Sequence, residues 1–169
     1  MRHGFIKVLL LLVAISLFMA LTGYTAKHRV IAVFINQLFL NTGKGEIVME
    51  VETEAAGSGR TELYMAALNM LRERKMPEAE GAVTAFKNEF RINNITEADG
   101  DVVVDFSSRR LMGTESEERM LIAQIVGTLT RSFDEVRSVS FTVDGEAAAT
   151  LMGHVDITGS FTEMPELRK

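Results

Sequence analysis

Two short segments of this chain alternate strictly between apolar and polar side chains, and that pattern restricts the fold more than anything else in the sequence. In residues 102–107, Val102, Val104 and Phe106 fall on one side of an extended chain, and Val103, Asp105 and Ser107 on the other. In residues 138–143, Val139, Phe141 and Val143 oppose Ser138, Ser140 and Thr142. Period-two alternation is the signature of a sheet buried on one face only. Between the two segments lies a strong helix pattern. Thr114 and Glu117 have capping-box spacing, Glu115, Glu117 and Glu118 suit the positive end of a helix dipole, and Leu121, Ile122, Ile125, Val126, Leu129 and Phe133 form a broad apolar stripe.

The surrounding residues extend this frame. Asp99-Gly100 supplies the left-handed backbone of a tight hairpin joining a strand over residues 92–98 to one over residues 101–107. Upstream, the β-branched run of residues 30–35, extending to Leu40, reads as a buried strand, and residues 47–52 as another. Ala55-Ala-Gly-Ser-Gly59 reads as a loop, and Thr61 as the cap of a helix that runs to about residue 75 and stops before Pro77. Residues 78–90 fit either a helix, through Val83, Phe86 and Phe90, or an irregular crossover. A small strand around Val155 and Ile157 is expected at the sheet edge. The predicted order is strand, helix, strand, strand, helix, strand. It implies an α/β (α+β) two-layer sandwich: one mixed or antiparallel sheet, two helices on its apolar face, and a Ser/Thr/Asp face left open.

The N-terminus carries a membrane signal. Arg2 and Lys7 precede an uncharged run over residues 8–26, long enough to span a bilayer. Cleavage after Ala26 or Ala20 would place Tyr24 or Phe18 at −3, so an uncleaved single-pass anchor is favoured over a removed signal peptide. Leu21-Thr-Gly-Tyr24 has the outline of a lipoprotein box with tyrosine in the cysteine's place. The division expected is residues 1–27 as signal anchor (or signal peptide), residues 30–163 as one domain and residues 164–169 as a tail. A short anchor ahead of a domain implies a location on the cell membrane with the domain outside the cytoplasm. The alternative is secretion after cleavage.

Composition excludes several kinds of chemistry. The chain has no cysteine, which removes thiol catalysis and thiolate metal sites. Without Arg2 and Lys7 there remain 16 basic against 23 acidic residues, a formal −7, so a nucleic-acid partner is not expected. His154 and Asp156 share a strand face but are too few for zinc, and a histidine hydrogen-bonded near a strand end is the simpler reading. Asp99, Asp101 and Asp105 lack the spacing of a calcium loop. Gly57-Ser-Gly59 lacks the phosphate-loop lysine, and Ser107 and Ser108 lack a nucleophile elbow. Thr128 and Thr130 interrupt the apolar helix, where hydroxyls usually bond back to the preceding turn. The 10 methionines read as core filler. No nucleophile, base and orienting group come together, so no enzyme, cofactor or metal is expected.

As an ordered set, Asp99-Gly-Asp-Val-Val-Val-Asp-Phe-Ser107, Ala123-Gln-Ile-Val-Gly-Thr-Leu-Thr130, Val139 through Asp144-Gly-Glu146, and Gly153-His-Val-Asp156 resemble the GerM-type (GerMN) domain family of bacterial sporulation and spore-germination proteins. The resemblance covers roughly residues 30–163. It implies a non-catalytic, outward-facing domain acting as a scaffold or assembly factor in an envelope, sporulation or germination complex. Its partners would be proteins of that complex or further copies of itself. The interaction face expected is Asp105, Ser107, Ser138, Ser140 and Thr142. The alternative is a binding module for cell-wall glycan or a small ligand, with Thr130, His154 and Asp156 as contacts.

Overall fold

The computed structural model of the chain describes residues 26–73 and 80–167. Strand β1 spans Ala26–Asn36, and the short helix α1 Gln37–Thr42 follows at once. Strand β2 (Val48–Gly57), helix α2 (Arg60–Glu73) and the two-residue strand β3 (Ala82–Val83) come next. The second half contains β4 (Ile92–Ala98), β5 (Asp101–Phe106), helix α3 (Glu115–Ser132), β6 (Ser138–Val143) and β7 (Glu146–Ala147).

The single sheet expected from the sequence is two sheets. One has the order β2-β1-β3 and is antiparallel; the other has the order β4-β5-β6-β7, with β5 and β6 parallel and the other pairs antiparallel. The β4–β5 hairpin turns at Asp99 (φ 51°) and Gly100 (φ 84°), the left-handed pair that such a turn requires. Val102, Val104, Phe106, Val139 and Phe141 are buried and join one apolar cluster with Val30, Ala32 and Phe34 of β1 and Leu63, Tyr64, Leu68 and Leu71 of α2.

Helix α3 separates the sheets, and it does so by hydrogen bonding as much as by packing. Its capping box forms between Thr114 and Glu117, and every residue from Leu121 to Leu129 is buried. Gln124, Thr128 and Ser132 recur every fourth residue and so lie along one stripe of the helix. That stripe meets the open edge of β1. Ser132 Oγ accepts from Ile31 N (2.9 Å) and donates to Ile31 O (3.2 Å), and Thr128 Oγ1 accepts from Val33 N (3.0 Å). Gln124, fully buried, donates through Nε2 to Val33 O (3.2 Å) and Val83 O (3.3 Å), and accepts through Oε1 from Ala85 N (2.7 Å). A buried strand edge must have its peptide groups satisfied; here helix side chains take the place of a neighbouring strand. Thr130 Oγ1 bonds back to Val126 O (2.8 Å) as expected for a helical threonine, whereas the Thr128 hydroxyl serves β1.

Several boundaries shift from those expected. The apolar run after Asn36 turns helical: Asn36 caps α1 by accepting from Leu38 N, and the helix ends at Gly43 (φ 67°). β2 runs on through Ala55, Ala56 and Gly57, which had read as a loop. α2 starts at Arg60, with Leu63 N bonded to Gly59 O (3.0 Å), so Thr61 lies inside the first turn and is not the cap. Residues 80–91 form the irregular crossover with β3 inside it. Val155 and Ile157 are buried without being a strand, and Phe161 instead bridges Val139 through two backbone bonds of 2.9 and 2.8 Å. Strand β1 begins at Ala26, ahead of the expected start of the domain. At the other end Met164, in the expected tail, lies over α3, where a Cβ on Gly127 would come 2.5 Å from its sulfur. The anchor expected over residues 1–27 falls almost wholly outside the described residues. Among those described, no helix is long and apolar enough to cross a membrane.

The C-terminal segment is held by one buried carboxylate. Glu118, fully buried on α3, accepts from Leu151 N and Met152 N (both 2.8 Å) through Oε1 and from His154 N (2.9 Å) through Oε2. Three backbone donors aimed at one carboxylate fix a segment that has no regular structure of its own.

Replacing Gln124 with Leu keeps the bulk but leaves Ala85 N and the Val33 and Val83 carbonyls without their side-chain partner. Urea denaturation should show a loss of about 3 kcal/mol, and Thr128→Val a loss of about 1–2 kcal/mol. A near-neutral Gln124→Leu would mean that α3 is held by packing alone. Glu118→Gln turns an amide NH2 toward one of the three N–H donors. It should cost about 2 kcal/mol and speed amide exchange at Leu151, Met152 and His154 about tenfold relative to β5.

Candidate interaction face

The polar side of the second sheet is built by register. Asp101 lies opposite Ser138, Val103 opposite Ser140 and Asp105 opposite Thr142, and on the outer side Thr96 pairs with Val103 and Asn94 with Asp105. Asn94, Thr96 and Ala98 are exposed, and Val103, Asp105, Ser140 and Thr142 are half-buried. Ser138 differs from expectation: it is 6% exposed, and its Oγ donates to Asp101 Oδ1 at 2.7 Å.

Two of the three hydroxyls on β6 are therefore engaged within the sheet. Thr142 Oγ1 donates to Asp105 Oδ1 (2.7 Å), which also receives Gly145 N (2.8 Å), while Asn93 Nδ2 donates to Oδ2 (2.9 Å). Burial pushes the Asp105 carboxyl up, but the Gly145 N–H, the Thr142 hydroxyl and the Asn93 amide outweigh it, against a smaller upward push from Asp144. The net position is below the ordinary carboxylate range. Asp144, in the β6–β7 turn at φ 51°, is also held low, by the Ser108 hydroxyl and backbone N–H. Ser107 lies just past the end of β5, where its Oγ accepts from Arg109 N (3.3 Å) and shapes the following turn. Ser140, between the two Asp–hydroxyl pairs, makes no side-chain hydrogen bond among the described residues. The result is a rigid, half-wet face whose central hydroxyl is unpartnered, flanked by Val103 and Thr96.

Thr130, His154 and Asp156 do not come together. The Thr130 hydroxyl bonds its own helix, His154 Nε2 lies 3.1 Å from Gly113 O, and Asp156 Oδ1 accepts from Thr158 N (2.9 Å) and Oγ1 (2.7 Å) in a local turn. The Thr158 N–H, then its hydroxyl, holds Asp156 below the ordinary carboxylate range. None of the three lines either principal cleft. The larger cleft, about 770 Å³, lies between α1 and the start of α3 and is lined by Phe39, Leu40, Ile47, Glu115, Arg119 and Met120. Beside it Leu38 is 57% exposed. The smaller cleft, about 470 Å³, includes His28, Ser58, Ser132 and Glu135, but Ser58 Oγ donates to Glu62 and Ser132 Oγ is bonded to β1. Among the described residues no three His, Asp or Glu side chains are grouped to hold a metal ion.

Gln124, Thr128 and Glu118, buried and decisive for the arrangement, are the residues that sequence reasoning underrated. The signal for Gln124 and Thr128 was their four-residue spacing, continued by Ser132, in a stretch over residues 121–129 that is otherwise apolar; Glu118 lies outside that spacing.

The Germane family model, described as sporulation and spore germination, matches residues 38–149. No match is found among curated proteins. Three solved structures share the fold, each with a TM-score of 0.53. A candidate lipoprotein from Clostridium perfringens is 14% identical, covering 82% of this chain and 87% of that one. The first GerMN domain of the sporulation protein GerM from Bacillus subtilis is 17% identical, covering 79% and 93%. The tandem GerMN domains of the same protein are 18% identical, covering 84% of this chain and 46% of theirs. With the family model covering well over half of its sequence, this chain belongs to the Germane family of sporulation and spore-germination domains.

Proposed function

We propose that this chain is a non-catalytic domain anchored in the cell membrane, facing out of the cytoplasm, that holds partner proteins in an envelope, sporulation or germination complex. The observation that carries the proposal is the face formed by Asp105, Ser140 and Thr142 with Val103 and Thr96. It is half-exposed and pre-ordered by its own hydrogen bonds, and Ser140 at its centre has a free hydroxyl. A face already fixed loses little freedom when a second surface docks on it. Membership of a family described by sporulation and germination supports the setting. The likeness to a candidate lipoprotein supports attachment to a membrane. This chain has no cysteine to carry a lipid, so the uncharged run of residues 8–26 is the means of attachment.

Two measurements test the reading. Ser140→Arg or Ser140→Trp should abolish co-purification of partner proteins while leaving the far-ultraviolet circular dichroism unchanged. Undiminished co-purification would remove this face from consideration, and sedimentation with purified peptidoglycan would point to a glycan-binding module instead. The second measurement follows from Asp105. Because its folded-state carboxyl is depressed, its contribution to stability is complete above the unfolded value of about 3.9 and is lost as pH falls through the folded value. The urea midpoint should hold from pH 7 to about pH 5 and drop on further acidification. Asp105→Asn should shrink that drop, and an unchanged acid profile would contradict the stabilising role of the Asp105 hydrogen bonds.

A further inference from the structure

The two ends of the molecule differ in what they carry, and the chain enters at only one of them. Ala26, the last residue of the uncharged run, is already paired with Gly57 as the first residue of β1. Around that end the 57–60 loop, the Asp99-Gly100 turn and residues 133–137 converge. Arg60 pairs with Glu97 (3.3 Å), the Tyr64 hydroxyl donates to Glu135 (3.3 Å), and Arg137 N donates to Gly100 O (2.8 Å). β5 and β6 both start there, at Asp101 and Ser138. Helix α3 runs antiparallel to β1, since Ser132 meets Ile31 and Thr128 meets Val33. Its N-terminus therefore lies at the far end, with α1, the 107–113 loop and the turn at Asp144, whose N–H bonds Phe106 O (2.8 Å). Eleven residues of strand put about 33 Å between the two ends.

Resting on the membrane reading proposed above, we infer that the domain stands end-on on the bilayer, with β1 beginning at Ala26, where the uncharged run ends. The near end lies at the lipid headgroups and α1 about 33 Å away. The polar face follows β5 and β6 from the near end to the far end, so it looks sideways along the membrane. The partner it fits is a protein held in, or close to, the same membrane, not one approaching from across the envelope. The near end has no basic excess to hold lipid: Lys27, Arg29 and Arg60 are paired with Glu54, Glu52 and Glu97, and Asp99, Asp134 and Glu135 stand against Arg137. Orientation comes from the covalent continuity of anchor and strand.

The absence of native cysteine allows a direct test on the full chain in phosphatidylcholine vesicles containing a headgroup-nitroxide lipid. Ser58→Cys, Thr96→Cys and Lys44→Cys, all at exposed positions, would each carry one fluorophore. Quenching relative to nitroxide-free vesicles should be about threefold at Ser58, weaker at Thr96 and absent at Lys44, because a spin label quenches only near contact and Lys44 lies beyond the far end of β1, about 33 Å from the near end. Equal quenching at the three sites, or the strongest at Lys44, overturns the end-on stance. Failure of the chain to float with the vesicles at all overturns the membrane reading, and this inference with it. Inserting about twelve Gly and Ser residues between Thr25 and Ala26, with a reach of about 20 Å, should flatten the gradient. A gradient that survives the insertion overturns the continuity of anchor and strand as its cause.

Discussion

Three side chains of one helix, Gln124, Thr128 and Ser132, complete the edge of strand β1, and the rest of the domain is arranged around that junction. β1 is buried on both faces, with Val30, Ala32 and Phe34 on one and Val33 and Ile35 on the other. A strand in that position normally needs a strand on each side. β3 supplies only two paired residues, at Ile35 and Asn36. Beyond them the edge would hold orphaned peptide groups in a dry interior, each costing on the order of 1–3 kcal/mol. The helix removes that cost, and in doing so it divides what could have been one sheet into two.

The same junction gives the family motif a physical meaning. In Gln124-Ile-Val-Gly-Thr-Leu-Thr130, the glutamine and first threonine bond β1, the isoleucine, valine and leucine fill the core, and Gly127 lets Met164 lie close against the helix. Asp105, two residues before Ser107, organises the β6–β7 turn through Gly145 and Thr142. Gly153-His-Val-Asp156 belongs to the segment that Glu118 holds, with Asp156 closing a turn on Thr158. These are architectural roles.

Much of the second half was legible in the sequence because its signals are local. Alternation announced β5 and β6, Asp99-Gly100 announced the hairpin, and Thr114 with Glu117 announced the start of α3. The first half was less legible. β1 is apolar on both faces and so shows no alternation, and Ala55-Ala-Gly57 has loop-like composition but is carried into β2 by pairing with residues 26–28. The division into two sheets was hidden because its cause is bonding between groups 91–101 residues apart. The polar face was read correctly in its alternation and too simply in its chemistry. Ser138 is turned under Asp101 and Thr142 toward Asp105, and neither hydroxyl is free.

With β1 bonded to a helix at Ile31 and Val33, the longest peptide edge left in the first sheet is the outer side of β2. Ten unbroken residues without proline would ordinarily invite another chain to zip on and start a fibril. Glu50, Glu52 and Glu54 point to solvent there, tethered to Arg131, Arg29 and Lys27. An incoming strand would meet a fence of occupied charges at every second step. Those ion pairs add little to folding strength at such exposed positions, and their value lies in keeping neighbouring copies of the chain from joining edge to edge.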